Sequence, residues 1–156
     1  MVENEKIIKI KNETKEFFQK MGFEIEIEGW EEREEGFFFN LKVKDNKEAQ
    51  ILIGENGQIL NLIQQLLIRI IKRKISLETR IVFDINDYRK KKIAHLKVMA
   101  KRLADEVVLE KKEKVLPPMP AFERRVIHLE LANRNDVTTQ SIGEEPNRRV
   151  VIKLYS

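Results

Sequence analysis

A short apolar run, residues 51–53, stops at Gly54, and a second glycine, Gly57, follows after two polar residues. Beyond Gly57, apolar residues recur with the i, i+3, i+4 spacing of one face of an amphipathic helix. These residues are Ile59, Leu62, Ile63, Leu66, Leu67, Ile70 and Ile71. The two glycines therefore bracket a tight turn that opens onto a helix N-terminus, and since they lack Cβ atoms another backbone can come close. The free N–H groups of the helix start favour an anion. By itself the pattern also fits a plain helix–turn–helix corner.

The length and the amino-acid usage restrict the possible classes of protein. A chain of 156 residues forms one ordinary domain or two small ones. The absence of cysteine excludes a disulfide framework, a thiolate metal site and a cysteine nucleophile. The first residues lack the apolar core of a signal peptide or anchor, and no apolar run reaches the roughly 20 residues of a transmembrane segment.

Charge is distributed unevenly along the chain. Residues 1–40 contain six Lys/Arg and eleven Asp/Glu, a net charge of −5, whereas residues 41–156 contain 24 and 15, a net charge of +9. A basic larger part behind an acidic front end suits a polyanionic partner on one side only. A solvated surface with a random dipole is the alternative.

Periodicity predicts the elements of the first half. Residues 5–21 form a helix that ends at Gly22, residues 23–28 and 37–44 form strands, and residues 30–36 form a charged turn between them. A short helix over residues 49–53 leads into the glycine loop. The helix after Gly57 ends near residue 75 with the cations Lys72, Arg73 and Lys74, and residues 79–85 form a third strand.

A second pattern begins at Asn86. Asn86 or Asp87 is the predicted cap of a helix that fades over residues 111–114. Its first turns carry four consecutive cations, Arg89, Lys90, Lys91 and Lys92. Because cations oppose the dipole at a helix start, a bound phosphate would explain them, and a solubilising run is the alternative.

Prolines divide the remaining chain. Residues 115–120 are extended, because proline disfavours a helical conformation of the residue before it, and Pro120 suits the first turn of a helix over residues 121–132. Strands over residues 137–142 and 148–154 form a hairpin with a turn at 143–147. The predicted fold is α+β, of the α/β sandwich type, with two domains, 1–85 and 86–156.

Two side chains in the helix over residues 121–132 form a candidate anion site. Arg124 and His128 are four residues apart and so share one face. A guanidinium supplies a planar fork of donors, and an imidazole adds one whose charge depends on pH. The alternative is that His128 hydrogen-bonds a backbone carbonyl and holds the helix to the hairpin.

Aromatic residues offer a further test. In the alternating segment 37–44, Phe37 and Phe39 point one way, which predicts core positions, whereas Phe38 points the other way and is undecided. Trp30 is either a partner contact or a cap on the sheet edge. His95 lies among lysines and is predicted to be a surface residue rather than a ligand.

Two resemblances cover almost the whole chain. The order helix, strand, strand, short helix, G-x-x-G, helix, strand resembles a type II KH domain. The string of residues 116–128, followed by Thr139, Ser141, Gly143-Glu144-Glu145-Pro146 and residues 148–152, resembles the Arg-x-x-x-His, or R-three-H, domain. A type II KH domain followed by an R-three-H domain is the layout of the bacterial Jag family, also called SpoIIIJ-associated protein or KhpB.

This resemblance implies a cytoplasmic protein that binds single-stranded RNA, or single-stranded DNA, without catalysis. It implies an RNA chaperone or post-transcriptional regulator linked to cell growth and division, with a small single-KH protein and a membrane protein insertase as partners. The alternative function is a protein-interaction module whose KH half docks or dimerises with a partner instead of binding RNA. Neither a cofactor nor a metal is expected, because there is no P-loop and no His/carboxylate cluster at metal spacing.

The resemblance also assigns site residues. It makes Gly54, Glu55, Asn56 and Gly57 the nucleotide clamp, Arg124 and His128 the defining pair of the second domain, and Thr139, Ser141 and Arg148 their neighbours. The supporting cations are Lys72, Arg73, Lys74, Arg89, Lys90, Lys91, Lys92 and Arg125. The family's loop usually carries a basic residue between its glycines, whereas here a carboxylate, Glu55, would repel phosphate. The sequence therefore predicts that binding rests on the second domain and on the basic ends of helices instead.

Overall fold

The computed structural model describes residues 2–156, which pack into two compact units divided after Arg89. Each unit combines helices with a small sheet, which confirms the α+β class. The division falls within one helix, and the domain limits at residues 85 and 86 stay a prediction. No helix among the described residues is both long and apolar enough to cross a membrane.

The first unit contains a three-stranded mixed sheet. Its elements are α1 (Val2–Lys20), β1 (Glu26–Arg33), β2 (Gly36–Lys42), α2 (Asn46–Ile53), α3 (Gln58–Lys74) and β3 (Ile81–Ile85), with a 3₁₀ turn, Glu55–Gly57, between α2 and α3. The strand order is β1-β2-β3, with β1 antiparallel and β3 parallel to β2. A parallel pair requires a long crossover, which α2 and α3 provide.

The core of the first unit lies between the sheet and the helices. Phe39 stacks on Phe83 with ring centroids 5.5 Å apart, and Phe18 of α1 is fully buried in the same cluster. Phe37 is 4% exposed and Phe39 is 1% exposed, which confirms that both are core residues. The buried face of α3 consists of Leu60, Ile63, Leu67 and Ile71.

The first hairpin differs from its prediction. β1 starts at Glu26 and continues through the stretch predicted as a turn, so that Arg33 pairs with Gly36 and only residues 34–35 turn. The charged residues of this stretch do not alternate with apolar ones, so the sequence shows no strand pattern. An edge strand tolerates exposed polar side chains on both faces. A register shift after Ile27 changes the alternation as well.

The two undecided aromatics both lie on this sheet. Trp30, on the edge strand β1, stacks on Phe39 at 6.4 Å and contacts Phe37 edge-on at 6.0 Å, so its ring packs on the core face of the sheet. Phe38, on the opposite face, is half-buried under the guanidinium of Arg33, 4.2 Å from its ring centroid.

The fourth helix, α4 (Tyr88–Glu110), does not have the cap predicted from the sequence. Neither Asn86 nor Asp87 caps it, since both adopt positive φ angles of 50° and 56°. The side chain of Asn86 instead bonds the backbone of Val43, at 2.9 Å to its N–H and 3.0 Å to its carbonyl. The carboxylate of Asp84 accepts the N–H of Arg89 at 3.0 Å and places a negative charge at the helix start.

The second unit packs α4 and a further helix on another small sheet. Its remaining elements are β4 (Lys114–Val115), α5 (Ala121–Leu131), β5 (Val137–Ile142) and β6 (Arg149–Leu154), with the strand order β4-β6-β5, all antiparallel. Its core includes Leu96, Ala104, Leu116, Ile127 and Ile152. Pro120 lies at the N-cap of α5, just before the predicted first turn.

Candidate nucleic-acid interface

His128, in the last turn of α5, lies between two hydroxyl groups of β5. Its Nδ1 is 2.6 Å from Oγ1 of Thr139, and its Nε2 is 2.8 Å from Oγ of Ser141. Thr139 and Ser141 are two residues apart and so face the same side of the strand. The predicted link between helix and hairpin is therefore present, but side-chain hydroxyls rather than a backbone carbonyl make it.

This pocket keeps the imidazole neutral. Burial lowers the pKa of His128, and the nearby positive charge of Arg124 lowers it further. A neutral imidazole donates from one ring nitrogen and accepts at the other, and each hydroxyl can do either. His128 thus contributes orientation and hydrogen bonding at neutral pH rather than a charge.

Arg124, one turn before His128, is 6% exposed. Its guanidinium forms an ion pair with the carboxylate of Glu145, which extends from the turn between β5 and β6. Among the described residues, Nε of Arg124 is a buried side-chain nitrogen that lacks a hydrogen-bond partner. The charge of Arg124 is therefore neutralised from the hairpin, while one of its donors stays unsatisfied.

The other predicted residues of the second unit differ in their exposure. Arg125 and Arg148 are exposed, as are Lys90 and Lys91. Lys92 is half-buried, with Nζ 3.9 Å from Glu123, whose pKa burial raises.

Two acidic residues near the site were missed by the site assignments from sequence. Glu145 contacts Arg124, and Glu123 contacts Lys92. Glu145 stands in the segment that carries the R-three-H resemblance, yet it has an acidic neighbour, Glu144, and sequence alone does not say which of the two reaches the arginine. A helical acid next to Arg124 offers no signal of burial.

Three residues of the glycine loop of the first unit have positive φ angles, which glycine adopts freely and asparagine tolerates. Gly54, Asn56 and Gly57 all have positive φ, at 72°, 53° and 75°. A Cβ on Gly54 would lie 2.3 Å from Cγ1 of Ile59, and one on Gly57 would lie 2.8 Å from Cε1 of Tyr88. Both glycines are thus required by the packing of their own unit.

The helix start after this loop has no side-chain cap, although the N–H of Gln58 bonds the carbonyl of Glu55 within the 3₁₀ turn. Gly57 has no side chain with which to cap α3, and α3 has no acidic residue in its first turn. Glu55 and Asn56 are exposed at the tip of the loop. The backbone geometry favours a phosphate there, whereas the charge of Glu55 opposes it.

Several supporting cations of the first unit have structural partners. Lys74 bonds Glu13 at 2.8 Å. Arg89 is half-buried, with Nε donating to the carbonyl of Phe83 at 3.1 Å and Nη2 to Oε1 of Gln64 at 3.3 Å. Burial lowers the pKa of Arg89, although it stays charged. Lys72 and Arg73, by contrast, are exposed.

Comparison with known proteins agrees with this geometry. Residues 94–154, which contain α5 and the β5–β6 hairpin, match the family model of the R-three-H domain. The chain is 39% identical over 110 residues to "RNA-binding protein KhpB" of Lactiplantibacillus plantarum, an alignment that covers 70% of this chain and 34% of the relative. It belongs to the KhpB (Jag) family.

Two further KhpB relatives show the same similarity. The protein named "RNA-binding protein KhpB" from Clostridium symbiosum is 37% identical over 134 residues, covering 86% of this chain and 59% of the relative. Its namesake from Bacillus subtilis is 36% identical over 108 residues, covering 68% of this chain and 52% of the relative. The chain thus spans between about a third and three fifths of the length of these KhpB proteins.

Proposed function

We propose that this KhpB-family chain binds single-stranded RNA without catalysis, mainly through its second unit. The observation that carries the proposal is the R-three-H match over residues 94–154 together with the assembled site, in which His128 bridges two hydroxyls beside Arg124. The RNA-binding names of the relatives support it. Single-stranded DNA is the alternative ligand with the same backbone chemistry.

In this proposal the exposed cations Arg125 and Arg148 bind phosphate. The side chains of Arg124 and His128 hold the elements that carry these cations in place. Arg125 and Arg148 are free to reach solvent, and Arg contacts to phosphate supply most sequence-independent affinity. His128 fixes α5 against β5, so that Arg125 on the helix and Arg148 beside β6 keep a constant spacing.

We further propose that residues 1–85 form a type II KH domain with Gly54–Gly57 as its clamp. The element order and the start of α3, which no side chain caps, support this. Lys72 and Arg73 at the other end of α3, with Lys90 and Lys91, supply additional positive charge. Because Glu55 repels phosphate, the KH half contributes less affinity than the second unit.

The wider role follows the family resemblance. We propose a cytoplasmic RNA chaperone or post-transcriptional regulator that acts in cell growth and division. A small single-KH protein and a membrane protein insertase are its proposed protein partners. Neither a catalytic residue nor a cofactor is part of this function.

The experiment is fluorescence anisotropy with a labelled single-stranded RNA over a salt series. We expect the Arg125→Ala/Arg148→Ala variant to bind several-fold more weakly than wild type and to lower the slope of log affinity against log salt by about 1.4, since each of the two single-strand phosphate contacts contributes about 0.7. The matched control, Arg102→Ala/Lys112→Ala, removes two exposed cations of the same unit outside α5 and the hairpin.

Three results would contradict the proposal. One is a wild type that does not bind at low salt, and another is binding that is insensitive to salt. The third is equal losses in both double variants, which would mean that the cations act only through net charge.

A further inference from the structure

Phe122, in the first turn of α5, is an aromatic residue that the fold leaves open to solvent. It is 52% exposed, whereas Ile127 and Leu131 of the same helix are buried in the core of the second unit. Among the described residues, no other aromatic ring stacks on Phe122. Its ring therefore serves neither the core nor an aromatic cluster, and covering it with a ligand would be favourable.

The helix places Phe122 beside a proposed phosphate contact. Arg125 is three residues further along α5 and is exposed as well. At about 100° per residue the two side chains are about 60° apart around the helix axis. Side chains three residues apart on a helix are neighbours, with about 5–6 Å between their Cβ atoms. A flat apolar ring and a phosphate donor are thus presented together.

Backbone hydrogen bonds bring Arg148 to the same end of the second unit. The N–H of Met119 donates to the carbonyl of Arg148 at 3.2 Å. The N–H of Leu116 donates to the carbonyl of Val150 at 2.9 Å, so the segment before α5 is attached along β6. Since α5 begins two residues after Met119, its first turn with Phe122 starts close to the backbone of Arg148.

We infer that Phe122 stacks on a nucleobase of the single-stranded RNA, while Arg125 and Arg148 hold neighbouring phosphates. This inference rests on the proposed function and adds to it the residue that contacts a base. The unstacked bases of a single strand present flat π-faces, for which an aromatic side chain is a suitable partner. Because every base has such a face, Phe122 contributes affinity for single strands over duplexes rather than a sequence preference.

The arrangement of charge on α5 favours RNA over a protein partner at this place. Leu129, 61% exposed, is the other large apolar side chain that α5 exposes, and Arg125 lies between it and Phe122 along the helix. The exposed face of α5 is therefore not a continuous apolar stripe of the kind that packs on a partner helix. A ring next to a guanidinium instead fits a ligand that alternates flat bases with charged phosphates.

Fluorescence anisotropy with a labelled oligouridine over a salt series tests the inference. We expect Phe122→Ala to weaken binding about tenfold, the size of one lost base stack. The slope of log affinity against log salt should stay that of wild type, because the ring carries no charge. Tyr155→Ala is the matched control, since Tyr155 is a 68% exposed aromatic residue after the far end of β6.

Inorganic polyphosphate, which has phosphates but no bases, separates stacking from charge. Used as a competitor of the labelled RNA, it should bind Phe122→Ala as tightly as it binds wild type. The Arg125→Ala/Arg148→Ala variant should bind polyphosphate more weakly than wild type.

Two further substitutions distinguish a stacked ring from a merely apolar side chain. Phe122→Leu keeps an apolar side chain without the ring and should bind RNA as weakly as Phe122→Ala. Phe122→Trp should keep the affinity of wild type, and RNA should quench the fluorescence of the new indole. Wild type, whose one tryptophan is Trp30, provides the background signal.

The outcomes separate this inference from the proposed function. If wild type binds RNA and Phe122→Ala or Phe122→Leu binds it equally well, the inference is wrong and the proposed function stands. Equal losses in Phe122→Ala and Tyr155→Ala, or an equal loss of polyphosphate binding, would also overturn the inference. A wild type that binds no RNA overturns the proposed function, and the inference with it.

Discussion

At the scale of single residues, the most informative contact is that between Arg124 and Glu145. A buried guanidinium, which has one donor without a partner, is held by a carboxylate on a largely exposed side chain. Glu145 therefore neutralises Arg124 and places a negative charge beside the surface on which we propose that RNA binds.

Replacing the carboxylate of Glu145 should change RNA affinity and the stability of the fold in opposite directions. We expect Glu145→Gln to tighten binding of single-stranded RNA about two- to fivefold, because one repulsive charge beside the proposed RNA surface is removed. The same change should lower the free energy of unfolding by about 1–3 kcal/mol, because Arg124 loses its charged partner. Anisotropy and urea unfolding measure the two effects, with Glu144→Gln, the neighbouring acid of the same turn, as control.

If Glu145→Gln lowers stability but leaves RNA affinity unchanged, the contact is structural only. Equal effects of Glu144→Gln and Glu145→Gln on affinity would assign the change to net charge.

Gly57 allows a second prediction at this scale. Gly57→Ala should destabilise the first unit by about 1–3 kcal/mol, because alanine at a positive φ is strained and its Cβ would lie 2.8 Å from the ring of Tyr88. Urea unfolding measures the loss. Gly29→Ala is the control, since a Cβ at Gly29 meets nothing within 4 Å. Equal losses in the two variants would contradict a specific role for the positive φ and the Tyr88 contact at Gly57.

At the scale of elements, His128 couples α5 to β5 in a way that depends on pH. Its pKa is lowered in the folded protein by burial and by Arg124, so the unfolded chain binds the proton at higher pH than the folded chain does. The stabilising contribution of neutral His128 is complete above the ordinary pKa of about 6.5 and is lost as the pH falls below it.

We therefore expect the free energy of unfolding of wild type to fall more steeply between pH 7.5 and pH 5, the range spanning the ordinary histidine pKa of about 6.5, than that of His128→Gln. Urea midpoints over this range measure the difference. His95→Gln, which changes the exposed histidine on α4, is the matched control. Parallel curves for wild type and His128→Gln would contradict a lowered pKa.

Elements with a strong apolar periodicity were predictable from the sequence. Features that depend on contacts with another element were not. The long helices followed from apolar spacing, and the prolines before α5 gave its start. The extension of β1 to Arg33 depends on pairing with β2, which a charged sequence does not reveal. Likewise, the side chain of Asn86 hydrogen-bonds the backbone of Val43 instead of capping α4. The carboxylate of Asp84 accepts a hydrogen bond at the start of α4 in its place.

At the scale of the whole molecule, the sequence predicted two α+β parts. The family resemblance named Thr139 and Ser141 of β5 as neighbours of His128, and the structure places them there. The acidic partners of Arg124 and Lys92 were not predictable, because Glu145 and Glu123 come close to them only in the folded chain. Arg89 illustrates the same limit, since a residue predicted as a supporting cation donates to a carbonyl and an amide of its own unit.

The parallel pairing of β2 with β3 also fixes an order of events during synthesis. β1 and β2 are joined by a two-residue turn and can pair as soon as both have left the ribosome. The other edge of β2, with Phe37 and Phe39 beside it, stays uncovered until residues 81–85 have followed. The interval in between, while α2 and α3 are translated, is when the nascent chain is most open to aggregation or to a chaperone.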